Sequence, residues 1–122
     1  MAMKIGALSK QTGVSVRAIR HYDQMGLLTS QREENGYRSF SPEDVKRVQL
    51  IRLFLSIGFQ LDEIRKYGPC WKDEVSPLDD TPVALTVAFY ERKLEQLNGQ
   101  IDILQEIRNR LESQVRTLRE HL

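Results

Sequence analysis

A single cysteine, Cys70, stands in a chain of 122 residues. No disulfide can form within one copy, and no multi-thiolate metal site can be assembled from it. No run approaches the roughly 18 apolar residues of a spanning helix, and residues 1–13 carry no apolar block of the signal-peptide kind. A cytoplasmic protein with no membrane partner is expected. The chain also lacks the furniture of catalysis: no nucleophile stands beside a base at motif spacing, no glycine loop is built to cradle phosphate, and the two histidines gather no metal set. An enzyme is not expected, and neither a cofactor nor a metal is assigned.

The net charge of only +1 argues against a polyanion partner until the chain is divided at Gly68. Residues 1–68 hold 11 Lys+Arg against 7 Asp+Glu, net +4, and residues 69–122 hold 7 against 10, net −3. The first part is the one suited to phosphates. An apolar content of 40% with 29% charged residues fits a folded protein, and the length allows one compact domain and an extension. The reading is residues 1–68 as one domain, 69–81 as linker and 82–122 as a helix.

Local signals divide the first part. Ile5 and Leu8 mark the inner face of a short helix ending at Gly13. Val16, Ile19, Tyr22 and Met25 recur at i, i+3, i+6 and i+9 behind Ser15, a suitable cap, and Gly26 closes the helix in the left-handed conformation. Two short helices about a glycine turn form a helix-turn-helix, whose second helix is the reader. Asn35-Gly36 predicts a two-residue hairpin turn within residues 29–40, with both residues at positive φ. Ser41-Pro42-Glu43-Asp44 starts a helix with cap, proline at the first position and acids at the positive end of the dipole. That helix stops at Gly58, and a shorter one spans Leu61 to Tyr67. Pro69, Pro77 and Pro82 predict no regular element between Gly68 and Pro82.

Thr81-Pro82 reads as cap and first position of a helix with no further proline, expected to run to about His121, roughly 57 Å at 1.5 Å per residue. Val87, Tyr90, Leu94, Leu97, Ile101, Leu104, Leu111, Val115 and Leu118 recur at 3–4 spacing, interrupted where Arg108 takes a slot. This is a coiled-coil seam, and it calls for a partner helix. Leaving it in water costs roughly 1.5–3 kcal/mol per large side chain. A homodimer is the expected answer.

The run from Ile5 through Asp23, IGALSKQTGVSVRAIRHYD, resembles the first two helices of the MerR family of bacterial transcription regulators. Glu34-Asn35-Gly36-Tyr37-Arg38 resembles the family's first wing, and Ser41-Pro42-Glu43-Asp44 and Ile57 through Ile64 follow at its spacing. His21, Asp23 and Gln60 depart from the residues common there. The resemblance implies a mostly α protein: a winged helix-turn-helix DNA-binding domain with a small β-hairpin wing, then a long helix forming an antiparallel coiled-coil dimer. It further implies a homodimer on an inverted repeat of double-stranded DNA within a promoter spacer. That dimer would act by distorting the DNA and so reach RNA polymerase indirectly. Metal-sensing members place thiolates at or beyond the end of the long helix, and none stands there up to Leu122; the large drug-binding domain of other members is not expected either. No small-molecule inducer is assigned.

Arg17 and Arg20 lie three apart near the start of the reading helix, where a guanidinium fork suits guanine edges or phosphates. Arg17 is assigned to bases and Arg20 to backbone, with Ser15 and Val16 beside the same groove. Each also has a bland reading, as a solvated charge for the arginines and as cap or packing for Ser15 and Val16. Tyr22 is core by spacing, whereas the resemblance implies that its hydroxyl reaches a phosphate. Asn35, Tyr37 and Arg38 are assigned to the wing's grip on the backbone, with cross-strand packing the alternative for Tyr37. His21 is placed at the surface near phosphate, and Lys66 and Lys72 at flanking phosphates. Cys70 is either an inert cysteine beside Trp71 or a thiol sensor of oxidants or electrophiles. Two other functions fit parts of the pattern, a non-regulatory winged-helix DNA-binding factor of excision or segregation type and a coiled-coil adaptor.

Overall fold

The computed structural model describes residues 2–72 and 81–122. Six helices and one hairpin follow in order: α1 (Ile5–Thr12), α2 (Val16–Gln24), β1 (Gln31–Arg32), β2 (Arg38–Ser39), α3 (Pro42–Ser56), α4 (Leu61–Tyr67), α5 (Pro69–Lys72) and α6 (Val83–Arg119). The chain divides into two units, one reaching to Thr86 and the other Val87–Leu122. Among the described residues no helix is long and apolar enough to cross a membrane.

The turn between α1 and α2 is set by local chemistry. Gly13 sits at φ 73°, a left-handed conformation that carries little penalty only for glycine. Buried Thr12 donates to the Leu8 carbonyl and accepts from Val14 N–H, so its side chain satisfies the backbone where α1 ends. Ser15 then caps α2, its hydroxyl accepting from Ala18 N–H at 3.1 Å. At the other end Gly26 takes φ 78°. Leu27 folds back so that its N–H reaches the Tyr22 carbonyl.

The first unit packs around Leu8 from α1, Ile19 from α2, Leu27, Phe40, Val48 and Ile51 from α3, and Ile64 from α4, each at most 2% exposed. Asp44 is buried among them. Its carboxylate accepts from the N–H and hydroxyl of Thr29 at 2.8 and 2.9 Å and from Ser41 N–H at 3.0 Å. It thereby completes a capping box for α3 and ties the entry of the wing to that helix.

Three sequence expectations need correction here. The hairpin exists, pairing Gln31 with Ser39 and Arg32 with Arg38, but its turn is longer than two residues. Gly36 N–H closes on the Glu33 carbonyl, Glu33 N–H bonds the Tyr37 carbonyl, and only Gly36 is at positive φ. Asn35 keeps an ordinary φ and accepts Tyr37 N–H at 3.0 Å through its side chain, a local bond that competes with the expected two-residue turn. Second, residues 69–72 are helical, because Pro69 is tolerated in a first helical turn. Third, α6 begins at Val83 and leaves Thr81 and Pro82 just outside. The expected linker's residues 73–80 lie outside the described residues. The wing also gains a strand-like neighbour, since Met3 and Phe40 exchange both backbone hydrogen bonds at 2.8 Å.

In the second unit Val87, Leu94, Ile101, Leu104, Leu111, Val115 and Leu118 are exposed, and Tyr90 and Leu97 partly so. Arg108, which interrupts this stripe, pairs with Glu112 at 3.7 Å, and Arg110 pairs with Glu106 at 2.6 Å. Ile103 and Ile107 add exposed apolar surface beside the stripe, and Phe89, off the stripe, is buried.

Candidate nucleic-acid interface

Amphipathic α2 divides its residues cleanly. Ile19 and Tyr22 face the core, while Arg17, Arg20, His21 and Gln24 are exposed. Those four line one open groove with Ser15, Val16 and Ala18. The structure thus brings together, on the outer face of the reading helix, five of the residues assigned to DNA from the sequence. Burying the apolar side of so short a helix forces its cations outward.

Arg20 also borders a second groove, shared with Lys4 and Lys10 of the α1 region and with Tyr37 and Arg38 of the wing. Four cations, Lys4, Lys10, Arg20 and Arg38, thus border one groove between the reading helix and the hairpin, whose lining is otherwise mostly apolar and includes Asp23. Lys4 and Lys10 were not singled out from the sequence; their proximity to the wing follows from the Met3–Phe40 pairing, which no local signal announces.

The wing residues behave differently from one another. Tyr37 projects from the turn and is 70% exposed. Arg38 reaches back to α2, its Nε 3.2 Å from Asp23 Oδ2, and donates to Ser30 Oγ at 3.0 Å. Ser30 Oγ is itself hydrogen-bonded to Asp23. Asn35 is occupied in shaping the turn.

Tyr22 is 7% exposed, and burial pushes its phenol above the ordinary range, with the nearby Arg52 cation opposing the shift. Arg52 also donates to the Thr12 carbonyl at 3.2 Å. Lys66, on α4, is exposed and paired with Asp62 at 3.3 Å. Hydrogen bonds from Arg65 and then Lys66 hold the Asp62 carboxyl below the usual range. The Lys72 side chain lies outside the described residues. Cys70 is buried, with its sulfur 3.2 Å from the Thr81 hydroxyl.

A capped reading helix with an outward basic face, braced by a hairpin, defines a DNA-reading module of the winged helix-turn-helix class. The family model for the MerR HTH family regulatory protein matches residues 3–68, and one described as MerR, DNA binding, matches residues 45–114. The chain belongs to the MerR family, whose members are regulators of transcription rather than enzymes. Nodulation protein NolA of Bradyrhizobium elkanii is 47% identical over 64 residues, covering 52% of this chain and 29% of that protein. Heavy metal-dependent transcription regulator 2 of Rhizobium meliloti is 36% identical over 95 residues, covering 75% and 65%. The chain thus spans less than two thirds of either relative's own length.

Two solved structures share the fold. The transcription regulator PbrR691 from Ralstonia metallidurans, in complex with lead(II), aligns with a TM-score of 0.67 at 22% identity over 91% of this chain and 83% of that one. HiNmlR, a MerR family regulator lacking the sensor domain and bound to promoter DNA, aligns at 0.57 with 23% identity over 94% and 88%.

Proposed function

We propose that the chain is a sequence-specific transcription regulator. Two copies, joined through antiparallel α6 seams, bind an inverted repeat in a promoter spacer and act on RNA polymerase indirectly, by distorting the DNA. The supporting observation is the outward cluster of Arg17, Arg20 and His21 on a capped reading helix, with Arg20 bordering a groove that also holds Lys4, Lys10 and the exposed Tyr37 of the wing. In this reading Arg17 contacts base edges, Arg20 and the Tyr22 hydroxyl contact phosphates, and Tyr37 and Arg38 hold the backbone beside the groove. Bending and untwisting a spacer costs on the order of 1–6 kcal/mol, which contacts from both helix and wing offset. The protein works in the cytoplasm, on the DNA of the nucleoid.

Genome-wide footprinting tests this directly. Protection of inverted repeats lying between promoter elements is the expected result. Protection unrelated to promoters, or no protection with the purified chain in low salt, overturns it.

A further inference from the structure

A single helical turn such as α5 cannot hold its own position, so side chains must set it. The Trp71 indole N–H donates to the Leu27 carbonyl at 2.8 Å, across 44 positions of sequence. Leu27 is folded back onto the end of α2 by its own N–H bond to Tyr22. The Arg47 guanidinium stacks 5.3 Å from the Trp71 ring centroid, and Phe54 meets the ring edge-on at 6.4 Å. Among the described residues the buried Nε of Arg47 has no hydrogen-bond acceptor, while its Nη2 lies 3.7 Å from Glu43 Oε1.

The fit is tight on the backbone side as well. A Cβ at Gly68 would lie 2.4 Å from the Ile64 carbonyl oxygen and 2.9 Å from the Trp71 ring. Beside Trp71, the Cys70 sulfur contacts the Thr81 hydroxyl, two residues before α6 begins. A chain of contacts therefore runs from the end of the reading helix through Trp71 and Cys70 to the root of α6.

We propose that Trp71 is a positioning residue that sets the half-site spacing the dimer accepts; this rests on the functional reading above. Adding one base pair between half-sites moves the second site by about 3.4 Å and turns it by about 35°. Discriminating such a step requires that the residues leading into α6 be held against the reader's own unit, as the Cys70–Thr81 contact holds them. Through its neighbour Cys70, which contacts Thr81, Trp71 ties the residues before α6 to the Leu27 carbonyl, whose own N–H is bonded to Tyr22 of α2.

The test uses the full chain and a series of inverted-repeat duplexes differing by one base pair in centre spacing, with a single half-site duplex as control. Trp71→Phe keeps a packed ring and removes the N–H donor. Its expected effect is a loss of spacing preference of about 3- to 10-fold, the scale of one hydrogen bond, with half-site affinity held within about twofold. Thr81→Ala, which severs the second contact and leaves the reader core intact, is expected to flatten the same profile. A wild-type spacing profile in both variants overturns the proposal, and so does an equal loss on every duplex including the half-site, which marks a merely structural role. A wild-type chain that binds inverted repeats without any spacing preference also overturns it. One that binds no inverted repeat overturns the functional reading itself.

Discussion

Asp23, near the end of the reading helix, and Arg38, in the wing, are joined by an ion pair of 3.2 Å, with Ser30 bonded to both. Arg38 of the wing is thus held against α2. Arg38 is 46% exposed and Asp23 only 11%, so solvent screening keeps the pair's contribution modest. A double-mutant cycle of Asp23→Ala and Arg38→Ala, read by urea unfolding, is expected to show a coupling of about 0.5–1 kcal/mol. Additive losses would mean that the pair contributes nothing to fixing the wing.

Arg17 and Arg38 should fail in different ways on DNA. Arg17→Ala is expected to weaken operator binding by roughly 1–3 kcal/mol and relax preference at one base pair, whereas Arg38→Ala weakens all sequences alike. Gel-shift competition against single-base operator variants checks this, and identical unselective losses for both substitutions would refute the division of roles.

Asp44 carries more than a helix cap. It accepts from four donors of Thr29 and Ser41 while fully buried, so Asp44→Ala strands those donors and opens the joint between wing and α3. The expected loss is about 2–4 kcal/mol, measured as a lowered urea midpoint with little change in slope. A loss below about 0.5 kcal/mol would show that water replaces the carboxylate there.

The exposed stripe of α6 predicts a concentration-dependent assembly. Placing charges on it with Leu104→Asp and Leu111→Asp together should reduce the mass seen in sedimentation from twice 14.2 kDa to 14.2 kDa. Operator binding should fall with it. A variant that stays dimeric would place the interface elsewhere.

Burial raises the Tyr22 phenol's folded-state value, so the unfolded chain ionises first, at about pH 10. The corresponding stability is complete below that point and is lost as pH rises through the folded-state value. Comparing urea unfolding at about pH 9 and about pH 11, Tyr22→Phe should show a smaller alkaline loss than the wild type. Equal losses would mean that other groups carry the alkaline limb.

Features governed by neighbours within a few positions are legible in the residues alone. The Gly13 turn, the Ser15 cap, the Ser41-Pro42 start of α3 and the span of α4 depend on capping, φ preference and apolar period, which are short-range. The outward set of Arg17, Arg20 and His21 followed from the same period. The wing turn was half legible: Asn-Gly announced a reversal, but a side-chain bond from Asn35 to Tyr37 N–H selected a longer loop. Long-range packing settles the rest: Asp44 answers Thr29, Arg38 is anchored by Asp23, Met3 lies beside Phe40, and Trp71 reaches Leu27. Each of these joins groups brought together by packing around a shared core, and a hydrogen bond or ion pair forms only where that packing sets the distance and removes competing water.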